Sequence, residues 1–391
     1  MASTMRRPTL IAVAGAIVLL VIAFPALVRL ATDWYWFQAV GFETVFLKSV
    51  ATKALVGVGV GLFAAGFLYA NLRFAQRGLA PLPVVLSLRS KAPTVELTQL
   101  LRRLAGPVAL GLGFLIGASA TGAWLTVLGF LHRTPFDLAD PIFERDLGYY
   151  FFTLPMLRGV FGLVTGLTIL SLVFVLPLYV IRGDLLVSRR VTIEPSAQSH
   201  IGGLIALLLA SAAANLYLVR TPSLLFASPE ARFFGASYAD LAVQLPFLRV
   251  AGVVALLGAT AVVWGARQRR LVLTLAITVA AYLGVLGLSS VVTAVVHRLV
   301  VLPNELARET PQLQHHIAAT RRAWGLDQVE VRDLTGEAQL TLANIQANSG
   351  TIENVRLWDR DPLLQTFGQL QEIRTYYDFI SVDDDRYWID G

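Results

Sequence analysis

Residues Leu271–Val296 read LVLTLAITVAAYLGVLGLSSVVTAVV, a stretch of 26 residues without one charged side chain. A helix needs about 20 apolar residues to cross the hydrocarbon core of a bilayer. Six similar runs precede this stretch: Leu10–Val28, Leu55–Leu72, Leu104–Leu131, Gly159–Ile181, Ile201–Val219 and Val250–Ala266. Because lipid offers no hydrogen-bond partners to a bare backbone, the seven runs predict an all-α transmembrane bundle of about seven helices.

The composition agrees with a membrane protein. The chain has 391 residues, of which 55% are hydrophobic and 15% charged, whereas a soluble domain has about 25% charged residues. The net charge is +6, but no soluble segment has a basic stripe with interleaved aromatics, so nucleic acid is not an expected partner. The chain has no cysteine, which excludes disulfides, thiolate catalysis and thiolate metal sites.

The basic residues predict the orientation. The N-terminus and the loops after the second, fourth and sixth runs carry most of the Lys and Arg that flank the spans. The positive-inside rule then places the N-terminus in the cytoplasm and, after seven crossings, the C-terminus outside a plasma membrane. The first run is longer than a signal-peptide core and no A-x-A site follows it, so it is expected to remain as an uncleaved helix.

The chain divides into two predicted domains. Residues 1–298 form the seven-helix transmembrane domain, and residues 299–391 begin a small, incomplete extracytoplasmic α+β domain. In the second domain, helices are predicted over Glu309–Trp324 and from Asp361-Pro362 onward, since Asp can cap a helix and Pro fits its first turn. Short strands are predicted at Val329–Arg332, Ala338–Leu342 and Phe379–Ile389.

Aromatic residues are concentrated in the segments that this orientation places outside, including Asp33–Phe37 and Pro135–Pro155. Aromatic side chains at a membrane interface are ordinarily anchors. In a second interpretation, these segments form a cap on which the C-terminal segment docks. The sequence leaves both interpretations open.

Several stretches of mixed polar and aromatic residues resemble one bacterial family, uncharacterised protein family 0182. The stretches are Asp33–Phe37 with Gly41-Phe42, Asp140–Phe143 with Asp146–Tyr150 and Leu154-Pro155, Gly235–Tyr238 with Asp240, Pro303–Leu306 with Glu309–Pro311, Thr320–Ala323, Asn354–Asp359, Gln369–Arg374, Tyr376–Phe379 and Asp385–Tyr387. The resemblance implies a multi-pass membrane protein with about seven helices and a large extracytoplasmic domain. Because members of that family are longer than this chain, it also implies a truncated or N-terminal part. It supplies no catalytic residues.

The acidic cluster near the C-terminus is a candidate metal site. On the predicted strand Asp383 and Asp385 share one face, and two carboxylates there suit a hard cation such as calcium. The calcium-loop pattern is missing, so a solvated strand end paired with Arg386 is the competing interpretation. His315 and His316 are adjacent and lack the i, i+4 spacing of a helical zinc site, so they are expected on a helix surface.

A contact surface is predicted in the region Asn354–Asp385. Its aromatic and arginine content suits recognition, and the candidate binding residues are Arg356, Trp358, Arg374, Tyr376 and Tyr377. The competing interpretation places Trp358 and Tyr377 in the core of the domain.

Three G-x-x-x-G pairs lie within apolar runs: Gly57/Gly61, Gly113/Gly117 and Gly162/Gly166. This spacing lets helices approach closely, so the pairs predict helix packing within the chain or between copies in a homo-oligomer.

The seven runs contain no Asp, Glu, Lys, Arg or His, the residues on which ion-coupled carriers depend. No nucleophile elbow, phosphate-binding loop or zinc-protease motif is present, so neither an enzyme nor a cofactor is expected. The first hypothesis is a membrane protein that presents an extracytoplasmic domain to an envelope protein or polymer. The alternatives are a transporter or channel for a neutral or lipid-like cargo, and the anchor of an extracytoplasmic enzyme.

Overall fold

The fold is described by a computed structural model that covers residues 7–77, 83–84, 95–187, 191–227, 234–333, 340–356, 359–371, 379–383 and 387. At residues 7–20, 22–23, 83–84, 95–98 and 187 the description is limited to the backbone. The chain separates into two compact units, Met1–Trp324 and Gly325–Gly391. The domain boundary predicted at residue 298 falls inside the first unit.

Ten α-helices are described in the first unit, and most of them are long. They are α1 Arg7–Ala39, α2 Glu43–Ala75, α3 Leu97–Ala120, α4 Trp124–Leu131, α5 Leu154–Arg182, α6 Pro195–Asn215, α7 Thr221–Ser223, α8 Leu245–Arg267, α9 Leu271–Val296 and α10 Glu305–Ala323. Two short antiparallel hairpins pair β1 Pro83–Val84 with β2 Val95–Glu96, and β3 Leu185–Val187 with β4 Val191–Ile193.

Six helical stretches among the described residues are long and apolar enough to cross a membrane. They are Glu43–Ala75, Gln99–Leu131, Tyr149–Arg182, Pro195–Phe226, Asp240–Arg267 and Leu271–Ala323. Each contains one of the predicted runs, so these six runs are confirmed as helices. The remaining run, Leu10–Val28, lies on helix α1, and the count of seven crossings stays a prediction.

Glycine contacts set the distance between α2 and α3. A Cβ atom built on Gly113 would lie 2.6 Å from both the carbonyl oxygen of Gly61 and the Cβ of Ala65. Gly117 faces Gly57 and Gly61 with no more room. The two glycine pairs therefore form one close crossing within the chain, which confirms the packing predicted for them.

The third pair behaves differently. A Cβ atom on Gly162 or Gly166 would meet nothing within 4 Å. No described residue packs on this face of α5, so packing within the chain is not borne out for this pair, and packing between copies stays a prediction.

Four helices form an arc around one apolar core. Helix α5 packs on α6, α6 on α8, and α8 on α9. Small residues bring them together, since Gly202 of α6 faces Ala266 of α8 and Gly258 of α8 faces Thr278 of α9. Val175 and Val262 are fully buried in this core.

A polar chain crosses the same core and ties α2, α5 and α6 together. His200 Nε2 donates to Asn71 Oδ1 (2.9 Å), because the Asn71 amide nitrogen already donates to the carbonyl of Phe67. The Tyr179 hydroxyl donates to His200 Nδ1 (2.9 Å) and is completely buried. Each of these polar groups is therefore satisfied inside the protein, as an apolar solvent requires.

Four π-helical turns adjoin the long helices. They are Tyr149–Thr153 before α5, Leu216–Arg220 after α6, Asp240–Gln244 before α8 and His297–Val301 after α9. A π turn inserts a residue into a helix and changes the direction of the side chains near it, and such turns are frequent at functional sites.

The described part of the second unit contains helices α11 Leu342–Ala347, α12 Ser349–Ile352 and α13 Arg360–Gln371. The helix predicted from Asp361-Pro362 is thus confirmed, and α10 confirms the helix predicted over Glu309–Trp324 with an earlier start. Phe367 of α13 stacks on Phe379, with ring centroids 5.8 Å apart.

The strands predicted for the second unit are wrong where the structure describes them. Val329–Arg332 forms no β-ladder, and Val331 is 83% exposed, because no neighbouring strand is there to pair with it. Residues 340–342 of the predicted strand Ala338–Leu342 are also not in a strand. Thr341 caps α11 there, since its side chain accepts from the Asn344 N–H. Residues 379–383 and 387 of Phe379–Ile389 are also not in a strand, so the α+β class is not confirmed in the described part.

The glycine crossing predicts a sharp difference between two glycines of α3. Gly113→Ala forces a methyl group against Gly61 and Ala65, so we expect it to lower the free energy of unfolding by about 1–3 kcal/mol. Gly111→Ala is the control, since nothing lies within 4 Å of its Cβ and alanine favours a helix. Denaturant titration in detergent micelles measures both, and equal stability of the two variants would contradict the crossing.

Candidate functional site

One cavity of the first unit is a cleft bordered by α5, α6, α8 and α9. It has a volume of about 960 Å³, within the upper range of small-molecule sites. Its walls include Phe161, Leu248 and Leu286, so the cleft lies among the apolar spans. We call it the arginine cleft because of the two residues described next.

Arg158 and Arg220 both line the arginine cleft. The other polar residues described in the lining are neutral amides and hydroxyls, with no Asp or Glu among them: Thr165, Asn215, Ser223, Gln244, Tyr282, Ser289 and Ser290. The described lining therefore carries a formal charge of +2 with no counter-charge of its own. Two arginines without a described acidic neighbour at one end of a bundle of apolar helices form a candidate anion site.

Local structure places these side chains. Arg158 lies in the first turns of α5 and donates from Nη2 to Ser223 Oγ at 2.7 Å. Ser223 in turn donates to the carbonyl of Val219 at 2.5 Å. Arg220 and Gln244 each end a π-helical turn. The arginine on α5 is thus held by one neutral hydroxyl, which leaves its charge uncompensated.

Several polar groups of the arginine cleft have no hydrogen-bond partner in the described part of the chain. These are the side chains of Asn215, Arg220, Gln244 and Tyr282. Ser289 is also without such a partner and only 7% exposed. Arg158 and Arg220 are exposed, so these polar groups are open to water or to a ligand that enters the cleft.

One long loop, residues 132–148, is built around a buried aspartate. The Asp140 carboxylate accepts from the backbone N–H groups of Ile142 (2.9 Å), Phe143 (2.6 Å) and Arg145 (2.9 Å). It also accepts from the Tyr150 hydroxyl at 2.7 Å. Asp140 is only 4% exposed. Its carboxylate is saturated by the protein and holds the loop in shape.

Asp146 supports the same loop from a more exposed position. It accepts from the backbone N–H groups of Phe136 and Gly148. The Phe136 N–H is the main cause that lowers the pKa of Asp146 from its ordinary value. The carboxylates of this loop thus organise backbone rather than bind a ligand.

Helix α10 docks on a neighbouring loop of the first unit. The Glu309 carboxylate accepts from the Tyr238 N–H at 2.9 and 3.1 Å, and Glu309 is only 5% exposed. The Arg308 guanidinium lies 5.4 Å from the centre of the Tyr238 ring. These two contacts fix the first half of α10 to the loop that carries Tyr238, and the cap interpretation for the C-terminal segment stays a prediction.

A smaller cavity of about 480 Å³ lies between α10 and loop 132–148. Its lining includes Gln312, His315, His316 and Arg322 from α10. Asp140 also lines it, but that carboxylate is already saturated. This cavity gathers fewer groups in need of a partner than the arginine cleft does.

The residues predicted from the sequence as binding or metal sites lie elsewhere. Arg356 and Asp383 are exposed residues of the second unit, and neither belongs to a group of three or more metal-ligating residues among those described. The same-face geometry predicted for Asp383 is wrong, because that residue is not in a strand. The other predicted residues lie outside the described residues: Trp358, Arg374, Tyr376, Tyr377 and Asp385.

Sequence reasoning missed the arginine cleft for a simple reason. Arg158 lies one residue before the run Gly159–Ile181, and Arg220 lies one residue after the run Ile201–Val219. Both therefore count as loop residues when the runs alone are searched. The available signal was that successive antiparallel spans bring these two flanking arginines to the same end of the bundle.

Comparison with known proteins gives a family without an assigned activity. The family model described as "Uncharacterised protein family (UPF0182)" matches residues 10–391. A UPF0182 protein of Cupriavidus necator is 37% identical over 384 residues, which cover 95% of this chain and 41% of that protein. A UPF0182 protein of Geobacter sulfurreducens is 32% identical over 397 residues, which cover 99% of this chain and 44% of that protein.

The chain thus spans less than half the length of these curated relatives. No solved structure matches the chain.

Loop 132–148 allows a direct test with two aspartates. Asp140→Asn replaces an accepting oxygen by an NH₂ group, so one buried donor loses its partner and the unfolding free energy falls by about 1–3 kcal/mol. Asp137→Asn is the control, because Asp137 is exposed and has φ 53°, a conformation that Asn tolerates well. Chemical denaturation in micelles compares the two, and an unchanged Asp140→Asn protein would refute the structural role.

Proposed function

This chain belongs to the uncharacterised protein family UPF0182, and we propose that it is an integral membrane protein that binds an anionic ligand in the arginine cleft. The observation that carries the proposal is the pairing of Arg158 and Arg220 in one cleft whose described lining contains no acid. The proposal concerns the described part of the chain, and any activity of a longer protein is a separate matter.

The chemistry of the arginine cleft favours an anion. A guanidinium group presents a planar fork of N–H donors that matches a carboxylate or a phosphate. Hydrogen bonds of this kind are charge-assisted and are stronger than those between neutral groups. Asn215, Gln244 and Tyr282 add neutral hydrogen-bond donors around the charge. A ligand with an anionic centre and several hydrogen-bonding groups would satisfy all of them.

The distribution of basic residues supports an orientation. With the N-terminus in the cytoplasm, the ends of α5 and α6 that carry Arg158 and Arg220 face the extracytoplasmic side of a plasma membrane. The second unit is then extracytoplasmic as well. In this arrangement the exposed Arg356 and the candidate residues around it would be available to an envelope protein or polymer, or to a second copy of the chain.

Transport is a second candidate function. It is favoured by the apolar helices that border the arginine cleft, since carriers bind their cargo between membrane spans. The cargo would then be anionic, in contrast to the neutral cargo favoured by the sequence alone. Saturable flux of an anion into liposomes that contain the chain would support transport over binding.

Binding at the arginine cleft is tested with inorganic phosphate as the probe. The full chain is placed in nanodiscs of phosphatidylcholine, and its thermal midpoint is followed as phosphate is added at constant ionic strength. We expect phosphate to stabilise the wild type, because a ligand that binds only the folded state raises its stability. Replacing both arginines, in Arg158→Gln with Arg220→Gln, removes charge-assisted hydrogen bonds worth about 1.5–3 kcal/mol each, so the Kd rises at least tenfold.

The matched control is Arg249→Gln. Arg249 is an exposed arginine of α8 that does not line the arginine cleft. It should respond to phosphate as the wild type does. An equal response of all three proteins, or no response of the wild type, would rule out the proposed anion site.

Orientation is tested by single cysteines, since the natural chain has none. Thr351→Cys lies on α12, and Gln268→Cys lies between α8 and α9, and both positions are exposed. In intact cells a membrane-impermeant thiol reagent should label Thr351→Cys alone, with Gln268→Cys labelled only after lysis. The reverse pattern would show that the proposed orientation is inverted.

A further inference from the structure

We propose that the ligand of the arginine cleft is an anionic membrane lipid, which enters sideways between α5 and α9. This inference rests on the proposed anion binding and adds the class of the ligand and its route. The lipid's phosphate would lie between Arg158 and Arg220, and its hydrocarbon chain would leave the cleft along α5 into the bilayer.

The arrangement of the helices provides the side opening. Helix α5 packs on α6 and α9 packs on α8, while α6 and α8 pack on each other. Helices α5 and α9 stand at the two ends of this arc and are not packed against one another in the part of the chain that the structure describes. Both helices line the arginine cleft. In a bilayer, the gap between two such spans faces lipid rather than water.

The face of α5 inside the cleft has room for a hydrocarbon chain. Gly162 and Gly166 line the cleft, and a Cβ on either would meet nothing within 4 Å. Their backbone surface forms a shallow groove without protruding side chains. Phe161 on α5 and Leu286 on α9 supply apolar walls beside it. The glycine pair that packs on no helix thus gains a role as the path of a lipid chain.

Deep polar groups point to a headgroup rather than to a bare ion. Ser289 is 93% removed from solvent, lines the cleft and has no hydrogen-bond partner among the described residues. Asn215 and Gln244 also lack partners there. Hydroxyl and ester oxygens around a lipid phosphate provide partners for these groups in addition to the arginines. The volume of about 960 Å³ accommodates a headgroup with the first part of its chain.

The apolar walls decide between the two sources of a phosphate group. A soluble phosphate ester would leave the half-buried side chains of Phe161 and Leu286 in contact with water within the cleft. A lipid covers those side chains with its own hydrocarbon and brings its phosphate to the arginines in one step. Binding is non-covalent, so no bond is made or broken.

The experiment measures lipid retention by native mass spectrometry. The full chain is purified in a neutral detergent and offered phosphatidylglycerol or phosphatidylcholine at equal concentration. We expect the wild type to retain phosphatidylglycerol at least tenfold more than phosphatidylcholine. The double variant Arg158→Gln with Arg220→Gln should lose that preference, and its thermal midpoint in lipid-free detergent shows that it is folded.

The route is tested by filling the groove. Gly162→Leu places a side chain in the cleft and should lower phosphatidylglycerol retention about tenfold, and Gly166→Leu serves as a second variant should the first fail to fold. Gly203→Leu is the control, because Gly203 lies on an exposed face of α6, outside the cleft, with nothing within 4 Å of its Cβ. It should retain the lipid as the wild type does.

Each other outcome overturns a defined part of the proposal. Retention that does not depend on the arginines would mean a layer of surrounding lipid only. Arginine-dependent stabilisation by inorganic phosphate without a preference for phosphatidylglycerol would reject the lipid and leave the anion site standing. Arginine-dependent retention that survives both leucine substitutions would reject the route along α5. No response to either phosphate or lipid would reject the anion site itself.

Discussion

The structure depends on the need of every polar group in an apolar solvent to find a partner inside the protein. This need makes the spanning segments helical, since a helix satisfies its own backbone. It also explains the buried chain from Asn71 through His200 to Tyr179, in which each side chain has a partner on another helix. In the arginine cleft the charges of Arg158 and Arg220 have no acidic partner among the described residues, and it is therefore where we expect an anionic ligand.

Glycine spacing illustrates how one motif serves two purposes. At Gly61 and Gly113 the missing side chains let two helix backbones approach, and a methyl group would collide with a carbonyl oxygen. At Gly162 and Gly166 the same spacing borders open space. Both places have the same G-x-x-x-G spacing. The difference arises from the neighbour that each helix face meets, which is not encoded in the spacing.

The arrangement of the helices decides which charged residues at the ends of the spans share one cleft. Arg158 and Arg220 are separated by 62 residues in the sequence and look like ordinary flanking residues. The antiparallel course of α5 and α6, and the π-helical turn that ends in Arg220, bring both side chains to one cleft. Asp140 and Glu309 show the opposite case. Their carboxylates already accept hydrogen bonds from backbone N–H groups, and these bonds hold loop 132–148 and helix α10 in place.

The sequence by itself determined the long apolar helices and the presence of α10 and α13, because these follow from hydrophobic length and local pattern, which act over neighbouring residues. It misjudged the strands of the second unit, since an extended segment such as Val329–Arg332 becomes a strand only if another segment lies beside it. The arginine cleft was decided by tertiary structure alone. Its charge, its unpaired amides and its side opening depend on which helix faces meet, a relation between residues far apart in the chain.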